Sequence, residues 1–555
     1  MKLRRARENN MRMPSFTLTF NIGRKTLDNI QNWFERHATS LIIFVLTAIS
    51  VFSFVYYYLN GLGLAYNDAR SHLDIGRRVV EGLKPGIAQL GSVWLPLPHV
   101  LMIPTIWNDF FWHSGLSGSL ISMVSFVAMG IIIYQFLRQL GVGLLGRFFG
   151  VLVFVANVNT LYLQSTAMTE LLLLATMTAG AYYLMLWAKT DEVLNLIKSA
   201  FFIMLSTVTR YDGWLLLFVS AALVAYSVLR KKGYKETEGK VILFLTLGSL
   251  GIALWFLWNL MIFGDPLYFV FGPFSARVQQ AQLEVAGNLP TKFNLWLSTK
   301  VYLYALIYNS YAYQLLLGFF GLIAFWKSKI KYEVKVAAIA LLAPLFFNIL
   351  ALFVGHSVLF IQGISGNTWF NVRYGIMLLP SIAIFAGFLV DRLKHLRWTL
   401  IGLFVFVTFF AFANKDAVTI DDARVGSSQK NVAEVSGWLN QNAADKKGFV
   451  LISAASHDAI IFSSGMPMKR FIHEGTGAYW QNATIVPDRW ARWIVMRTHD
   501  DNDLTWRFVS RTEGFTRYEL VDSYPFADIY QLKEEYLSTL ETEPVFGSKA
   551  DIKKQ

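Results

Sequence analysis

Runs of about 20 apolar residues recur along the first 413 positions of this 555-residue chain, and a run of that length crosses a hydrocarbon layer of roughly 30 Å as a helix. The chain therefore reads as a polytopic α-helical membrane protein. About eleven crossings are predicted, at 41–59, 117–137, 148–163, 171–188, 199–208, 214–229, 241–263, 302–326, 334–354, 376–390 and 398–413. The run at 199–208 is too short to span unaided. Composition agrees, with 54% hydrophobic, 15% aromatic and only 16% charged residues.

Basic residues beside membrane segments stay cytoplasmic, which orients the chain. Arg4, Arg5, Arg7, Arg24 and Lys25 precede the first crossing. Every second loop repeats the bias, through Arg138 and Arg147, Lys189 and Lys198, Arg230 to Lys232, Lys327 to Lys331, and Arg392 to Arg397. The N-terminus is then inside a cell inner or plasma membrane, and the loops around Asp68, Glu170, Asp212, Asp265 and Arg373 lie outside. Arg70, Arg77, Arg78 and Lys84 break the pattern in the first outer loop, where cations suit an anionic ligand. The net charge of +13 sits mostly at membrane edges, so it reads as topology signal and attraction to anionic membrane lipids rather than a nucleic-acid surface. With no cysteine, disulfides and thiolate chemistry are excluded. The run from Leu41 follows a long polar segment and reads as an uncleaved anchor.

Three regions follow: a basic cytoplasmic segment at 1–40, a membrane domain at 41–413 with outer loops 60–116 and 264–301, and a tail of ordinary polarity at 414–555. The tail reads as an extracytoplasmic α/β domain, with strands at 448–453 and 493–496 and a helix capped by Ser456 that ends at Gly465. His457-Asp458, His473-Glu474 and Asp500 to Asp503 fit solvated loops or caps, since no nucleophile elbow or zinc spacing accompanies them. Asn482-Ala483-Thr484 matches a glycosylation sequon.

Chemistry is sought in the outer loops. In YNDARSHLDIGRRVVEG, a helix over 69–82 places Ala69, Leu73, Gly76 and Val80 on one face and the pairs Arg70/Asp74 and Arg77/Glu81 on another, as an interfacial helix would. Asp68 is then either its N-cap or a carboxylate presented to a lipid-linked substrate, with His72 one turn further on. The next stretch, with Pro96, Pro98 and Pro104, reads as an irregular re-entrant piece. Glu170 in NVNTLYLQSTAMTE falls at the outer turn between the third and fourth crossings, where it serves either the helix dipole or a substrate. Arg210 and Asp212 in TRYDGW either close a hairpin or face substrate. The loop GDPLYFVFGPFSA, with Tyr268, fits an aromatic belt, a lid or a sugar-stacking wall. Arg373 and Tyr374 in NVRYGIMLLP fit headgroup anchoring or phosphate binding.

Taken together, these segments resemble the glycosyltransferase-C superfamily, and within it the bacterial and archaeal branch related to protein O-mannosyltransferases and aminoarabinose transferases. The resemblance spans 41–413. It implies an enzyme that moves a sugar from a polyprenyl-phosphate carrier to an acceptor glycan, lipid or protein on the outer face, by an inverting displacement. It assigns Asp68 and Glu170 as catalytic acids and Arg373 to the carrier phosphate, with His72, Arg210, Asp212, Tyr268 and Tyr374 around the substrate. A divalent metal (Mg, Mn or Ca) held by Asp68, His72 and Glu170 is a further expectation of that kinship. The tail lacks a WWD-type motif, against an oligosaccharyltransferase, and the single Asn-Asp of the first loop replaces the Asp-Glu common where protein hydroxyls are acceptors. A transporter would carry ionisable groups near mid-membrane, and an O-antigen polymerase or ligase a large outer loop rich in Arg and His; both remain as alternatives.

Overall fold

The computed structural model describes residues 24–273, 275–285, 287, 289–425 and 429–544. Arg4, Arg5 and Arg7 of the basic segment lie outside them. Among the described residues, seven helices are long and apolar enough to cross a membrane, and two bent helix pairs bring the number to nine. Two shorter apolar helices, Leu144–Val155 and Val193–Thr207, stand where the third and fifth of the eleven predicted crossings were placed.

The departures from straight spans have local causes. The predicted crossing at 148–163 is two helices, Leu144–Val155 and Val158–Leu163, because Asn157 adopts an extended conformation and its side chain accepts the Thr160 N–H at 3.0 Å. The predicted crossing at 302–326 is likewise Leu295–Ser310 and Ala312–Lys327, bent by 107° at Tyr311. Tyr311 has φ +57°, a conformation that ends a helix, and its hydroxyl donates to the Asp416 carbonyl at 2.9 Å.

The first outer loop is folded. Its helix begins earlier than the sequence pattern placed it, at Asn67–Val80, and it is not an interfacial helix: Ala69, Arg70, His72, Leu73, Asp74 and Arg77 are all buried. One face packs on Leu97–Ile106, where Gly76 brings the two backbones close to Met102. The stretch expected to be irregular thus contains a helix, with Pro98 in its first turn where no N–H is required. Arg77 donates to the Ile106 and Trp107 carbonyls at 2.8 and 2.7 Å, capping that helix's open end, and pairs with Asp109 and Glu81. Arg70 turns away from Asp74 and donates to the Leu64 carbonyl.

The other side of Asn67–Val80 meets the C-terminal part of the chain. That part contains a mixed sheet of order β2-β1-β3-β5-β4, formed by β1 (Phe449–Ile452), β2 (Phe471–Ile472), β3 (Ala491–Met496), β4 (Tyr518–Ser523) and β5 (Asp528–Leu532). β1 runs parallel to β2 and β3, and the β4–β5 hairpin joins antiparallel to β3. The helix after β1 is Ala454–Ser463, and its cap is Glu474 rather than Ser456: the Glu474 carboxylate accepts the Ala454 and Ala455 N–H groups at 2.8 Å. His457 and Asp503 form a fully buried 2.7 Å contact rather than lying in a solvated loop, while Asp503 is the expected cap, accepting the Thr505 and Trp506 N–H groups, and Asn482-Ala483-Thr484 sits in the helix Ala478–Ile485.

Asp458 on Ala454–Ser463 pairs with Arg78 at 3.1 Å and with the buried carboxyl of Asp74. Burial and the neighbouring Asp458 hold the Asp74 carboxyl well above its ordinary range, and burial raises Asp458 to about 6 against the opposing pull of Arg78. The folded chain therefore keeps protons that the unfolded chain releases above about pH 4, and its stability falls as pH rises toward 6. Asp458→Asn is expected to flatten the decline in melting temperature of the solubilised protein across about pH 4.5 to 6.5; an unaltered slope would remove this account.

Candidate functional site

Four distant segments bring charged side chains to one place, and the guanidinium of Arg373 is its centre. Arg373 lies in a tight 3-10 turn, Val372–Leu378, that leads into the helix Leu379–Arg392. That turn is fastened from behind: Asn309 donates to the Val372 carbonyl at 2.7 Å, and Gly375 lies so close to the Ala305 carbonyl that a Cβ would come within 2.1 Å of it. Each guanidinium nitrogen then faces a different carboxylate. Nη2 donates to Asp68 at 2.5 Å, Nε to Glu170 at 3.1 Å, and Nη1 lies 3.8 Å from Asp422.

Asp68 occupies the first turn of Asn67–Val80 without being its cap, which is Tyr66. The helix N-terminus favours its negative charge, and its side chain remains 43% exposed while Glu170 and Asp422 are at 0% and 2%. Only one of the three acids around Arg373 is thus open to a reactant. Glu170, the first residue of Glu170–Thr190, is enclosed between two guanidiniums, because Arg210 Nη1 also reaches it at 3.4 Å. Arg210 in turn pairs with Asp212 at 3.3 Å, and Tyr374 is sandwiched by the Arg210 and Arg373 cations at 4.9 and 5.3 Å from its ring.

A cavity of about 540 Å³ opens over this cluster, with Asp68, His72, Arg210, Asp212, Arg373 and Tyr374 in its wall. Aromatic and aliphatic side chains, Trp94, Tyr211, Trp214, Phe269, Phe347 and Leu350, also line it. Arg277 and His356 stand in the wall as well. Arg277 lies 5.0 Å over the Phe271 ring and has no carboxylate partner among the described residues. His72 touches the Trp94 ring at 4.3 Å and its Nδ1 is 2.9 Å from Nε2 of His99. Burial, with the Arg210 and Arg373 charges, pushes His72 down to about 3, so it faces the cavity as a neutral imidazole.

Of the residues singled out from the sequence, Asp68, His72, Arg210, Asp212, Arg373 and Tyr374 share this cavity wall. Glu170 lies behind it. Tyr268 stacks on Phe263 at 4.5 Å, and its neighbour Phe269 takes the place in the wall expected for it. Asp68, His72 and Glu170 do not form a ligand set: the two acids grip Arg373, His72 faces His99, and no three His, Cys, Asp or Glu side chains among the described residues converge on a metal position. Asp422 and Arg277 were not anticipated. Asp422 belongs to Val418–Val425, in the stretch assigned by composition to the soluble tail.

No protein-family model and no curated protein matches the sequence. Solved structures do. ArnT from Cupriavidus metallidurans, determined with undecaprenyl phosphate, superposes over 88% of this chain and 98% of its own at a TM-score of 0.52 and 12% identity. The oligosaccharyltransferase AglB from Archaeoglobus fulgidus, determined with an inhibitory peptide and a dolichol-phosphate, covers 83% of this chain and 70% of its own at 0.50 and 10%. This chain shares the fold of those two enzymes. Its long apolar helices, in a fold shared with those enzymes, mark this chain as an integral membrane protein.

Breaking a buried ion pair by deleting one partner costs about 3–5 kcal/mol. Arg373→Ala leaves Asp422 buried without its cation and Glu170 with Arg210 alone, and is expected to lower the melting temperature of the solubilised protein by several degrees or prevent its accumulation. A variant as stable as the parent would show that the guanidinium does not hold these segments together.

Proposed function

We propose that this protein is a membrane glycosyltransferase that moves a hexosyl or pentosyl group from a polyprenyl-phosphate carrier to an acceptor, with Asp68 as the base. The observation that carries the reading is a cavity lined by carboxylates and arginines together with aromatic and aliphatic side chains, within a fold shared with two enzymes solved with polyprenyl phosphates. The polar side chains suit a sugar phosphate, the aromatic rings suit sugar stacking, and Phe347 and Leu350 suit the first isoprene units of a carrier.

In the reaction, Asp68 accepts the proton of the acceptor hydroxyl as that oxygen bonds to the anomeric carbon. The bond from the anomeric carbon to the phosphate oxygen breaks, and the electron pair leaves on the polyprenyl phosphate, where positive charge receives it. A single displacement of this kind inverts the anomeric centre. Arg373 holds Asp68 in place but has committed its nitrogens to carboxylates. Around it four carboxylates face two guanidiniums, an excess of negative charge that repels an anion. The departing phosphate is therefore assigned to Arg277, which has no carboxylate partner among the described residues, in place of Arg373 and Arg210. Glu170 fixes both buried arginines. No step is routed through a metal, because the residues that would ligate one are otherwise engaged.

The segments bearing Asp68, Glu170, Arg210 and Arg373, which the loop charges place on one side of the membrane, meet at this cavity. That supports an inner- or plasma-membrane enzyme with its N-terminus cytoplasmic, and its cavity and the C-terminal domain (414–555) extracytoplasmic.

Two variants test the assignment in membranes supplied with polyprenyl-phosphate-linked sugars. Asp68→Asn is expected to lower turnover by about 10²–10⁴-fold while leaving expression and melting temperature near those of the parent; full activity would remove Asp68 as the base. Arg277→Ala is expected to weaken donor binding, raising the donor KM about tenfold for a lost charge-assisted contact of roughly 1.5 kcal/mol, and an unchanged KM would place the phosphate elsewhere.

A further inference from the structure

The residue with the most unexpected position is Asp422. It lies past the last long apolar helix, in Val418–Val425, yet its side chain is buried at 2% beside Arg373. Nothing about that position is loose. The Thr419 N–H and hydroxyl donate to Asn159 Oδ1 at 3.1 and 2.8 Å, which fastens the start of this helix to Val158–Leu163. The Tyr66 hydroxyl lies 2.8 Å from the Thr419 carbonyl and 3.1 Å from Asp422 Oδ2, so one proton serves both oxygens. Tyr66 is the cap position of the helix that presents Asp68, and its ring lies 4.8 Å under the Arg373 guanidinium.

We propose that Asp422, together with Tyr66, is a positioning residue of the transfer reaction, which sets the plane of the Arg373 guanidinium so that Asp68 is aimed into the cavity. This rests on the transferase reading above. The argument is geometric. A guanidinium is a planar fork, and holding it at two nitrogens leaves it free to tilt about the line joining its two partners. Glu170 and Asp68 accept hydrogen bonds from Nε and Nη2; the third carboxylate lies 3.8 Å from Nη1, beyond hydrogen-bond reach, and its charge there draws that nitrogen toward it against the remaining tilt. Asp68 is the exposed member of the set, so any tilt of Arg373 is passed to the one carboxylate that meets a reactant. Tyr66 links the same carboxylate to the first turn of the Asp68 helix, so both supports of Asp68, its backbone and its ion pair, refer to one side chain. Asp422 touches neither donor nor acceptor in this arrangement, since it does not belong to the cavity wall.

The test uses the full chain purified and reconstituted with lipid, a panel of synthetic polyprenyl-phosphate-linked hexoses and pentoses as donors, and a membrane extract as acceptor source. Release of polyprenyl phosphate is followed by mass spectrometry. Asp422→Asn keeps the shape and removes the charge. It is expected to lower kcat about 10- to 100-fold, the range that a misplaced catalytic group costs, with donor KM changed less than about twofold and the melting temperature close to the parent's. Placed on Arg373→Lys, which has no planar fork to orient, Asp422→Asn is expected to add less than about a further twofold loss. Tyr66→Phe, which removes only the hydroxyl, is expected to lower kcat several-fold and serves if Asp422→Asn does not accumulate. Parental kcat in Asp422→Asn and Tyr66→Phe overturns the proposal, as does a raised donor KM at unchanged kcat, or a full multiplicative loss on Arg373→Lys. Absence of release by the parent protein with every donor removes the transfer reading itself, and this inference with it.

Discussion

The buried guanidinium of Arg373 is the interaction on which the rest of the site depends. It binds carboxylates 305 and 203 residues earlier in the chain, Asp68 and Glu170, and a third at Asp422 beyond the last long apolar helix. Removing a charge from water is expensive, and such a cluster persists only where every charge finds a partner. Here the partners arrive from four elements that the sequence keeps far apart, so the membrane helices and the segment after them must be assembled before the charges are paired. The polar network behind it, from Asn157 and Asn159 through Asn309 to Val372 and Thr419, fixes the backbone on which the arginine stands.

This arrangement divides labour among like-charged groups through burial. Glu170 and Asp422 are sealed and serve the arginine, whereas Asp68 keeps nearly half its side chain open at the cavity. The helix carrying Asp68 is pinned along its length, through Gly76 against Met102, Arg77 at the end of Leu97–Ile106, and Arg78 against Asp458 in the C-terminal part. Such a rigid support holds the Asp68 carboxylate still, as the proposed base requires. The C-terminal part therefore contributes to the geometry of the cavity through both ends of its contact with this helix, at Asp422 and at Asp458.

Hydrophobic run length made the membrane class legible, and the quoted loop motifs gave the fold family and six side chains of the cavity wall. What stayed hidden has physical reasons. Asn157 and Tyr311 break helices through a side-chain cap and a positive φ, neither of which alters hydropathy enough to register. The helix Asn67–Val80 has the polar pattern of a surface helix, and its burial is completed by partners far along the chain, such as Asp458. Asp422 looked like an ordinary acid of a polar tail; the one available signal was the Asp421-Asp422 pair soon after the final apolar run, which ends at Ala413, and paired acids are common in polar tails. Arg277 sat in a loop read for its aromatics, and Arg373 looked suited to phosphate because sequence displays a charge without displaying the charges that already neutralise it.

The most direct test of a lipid-carrier transferase is a cryo-electron microscopy map of the full chain with a polyprenyl-phosphate-linked sugar bound. The account predicts the phosphate within hydrogen-bond reach of Arg277, with the sugar between it and Asp68 and the Arg373–Asp68 pair intact. A cavity that excludes the carrier headgroup, or a phosphate bound in place of Asp68 on Arg373, would contradict it.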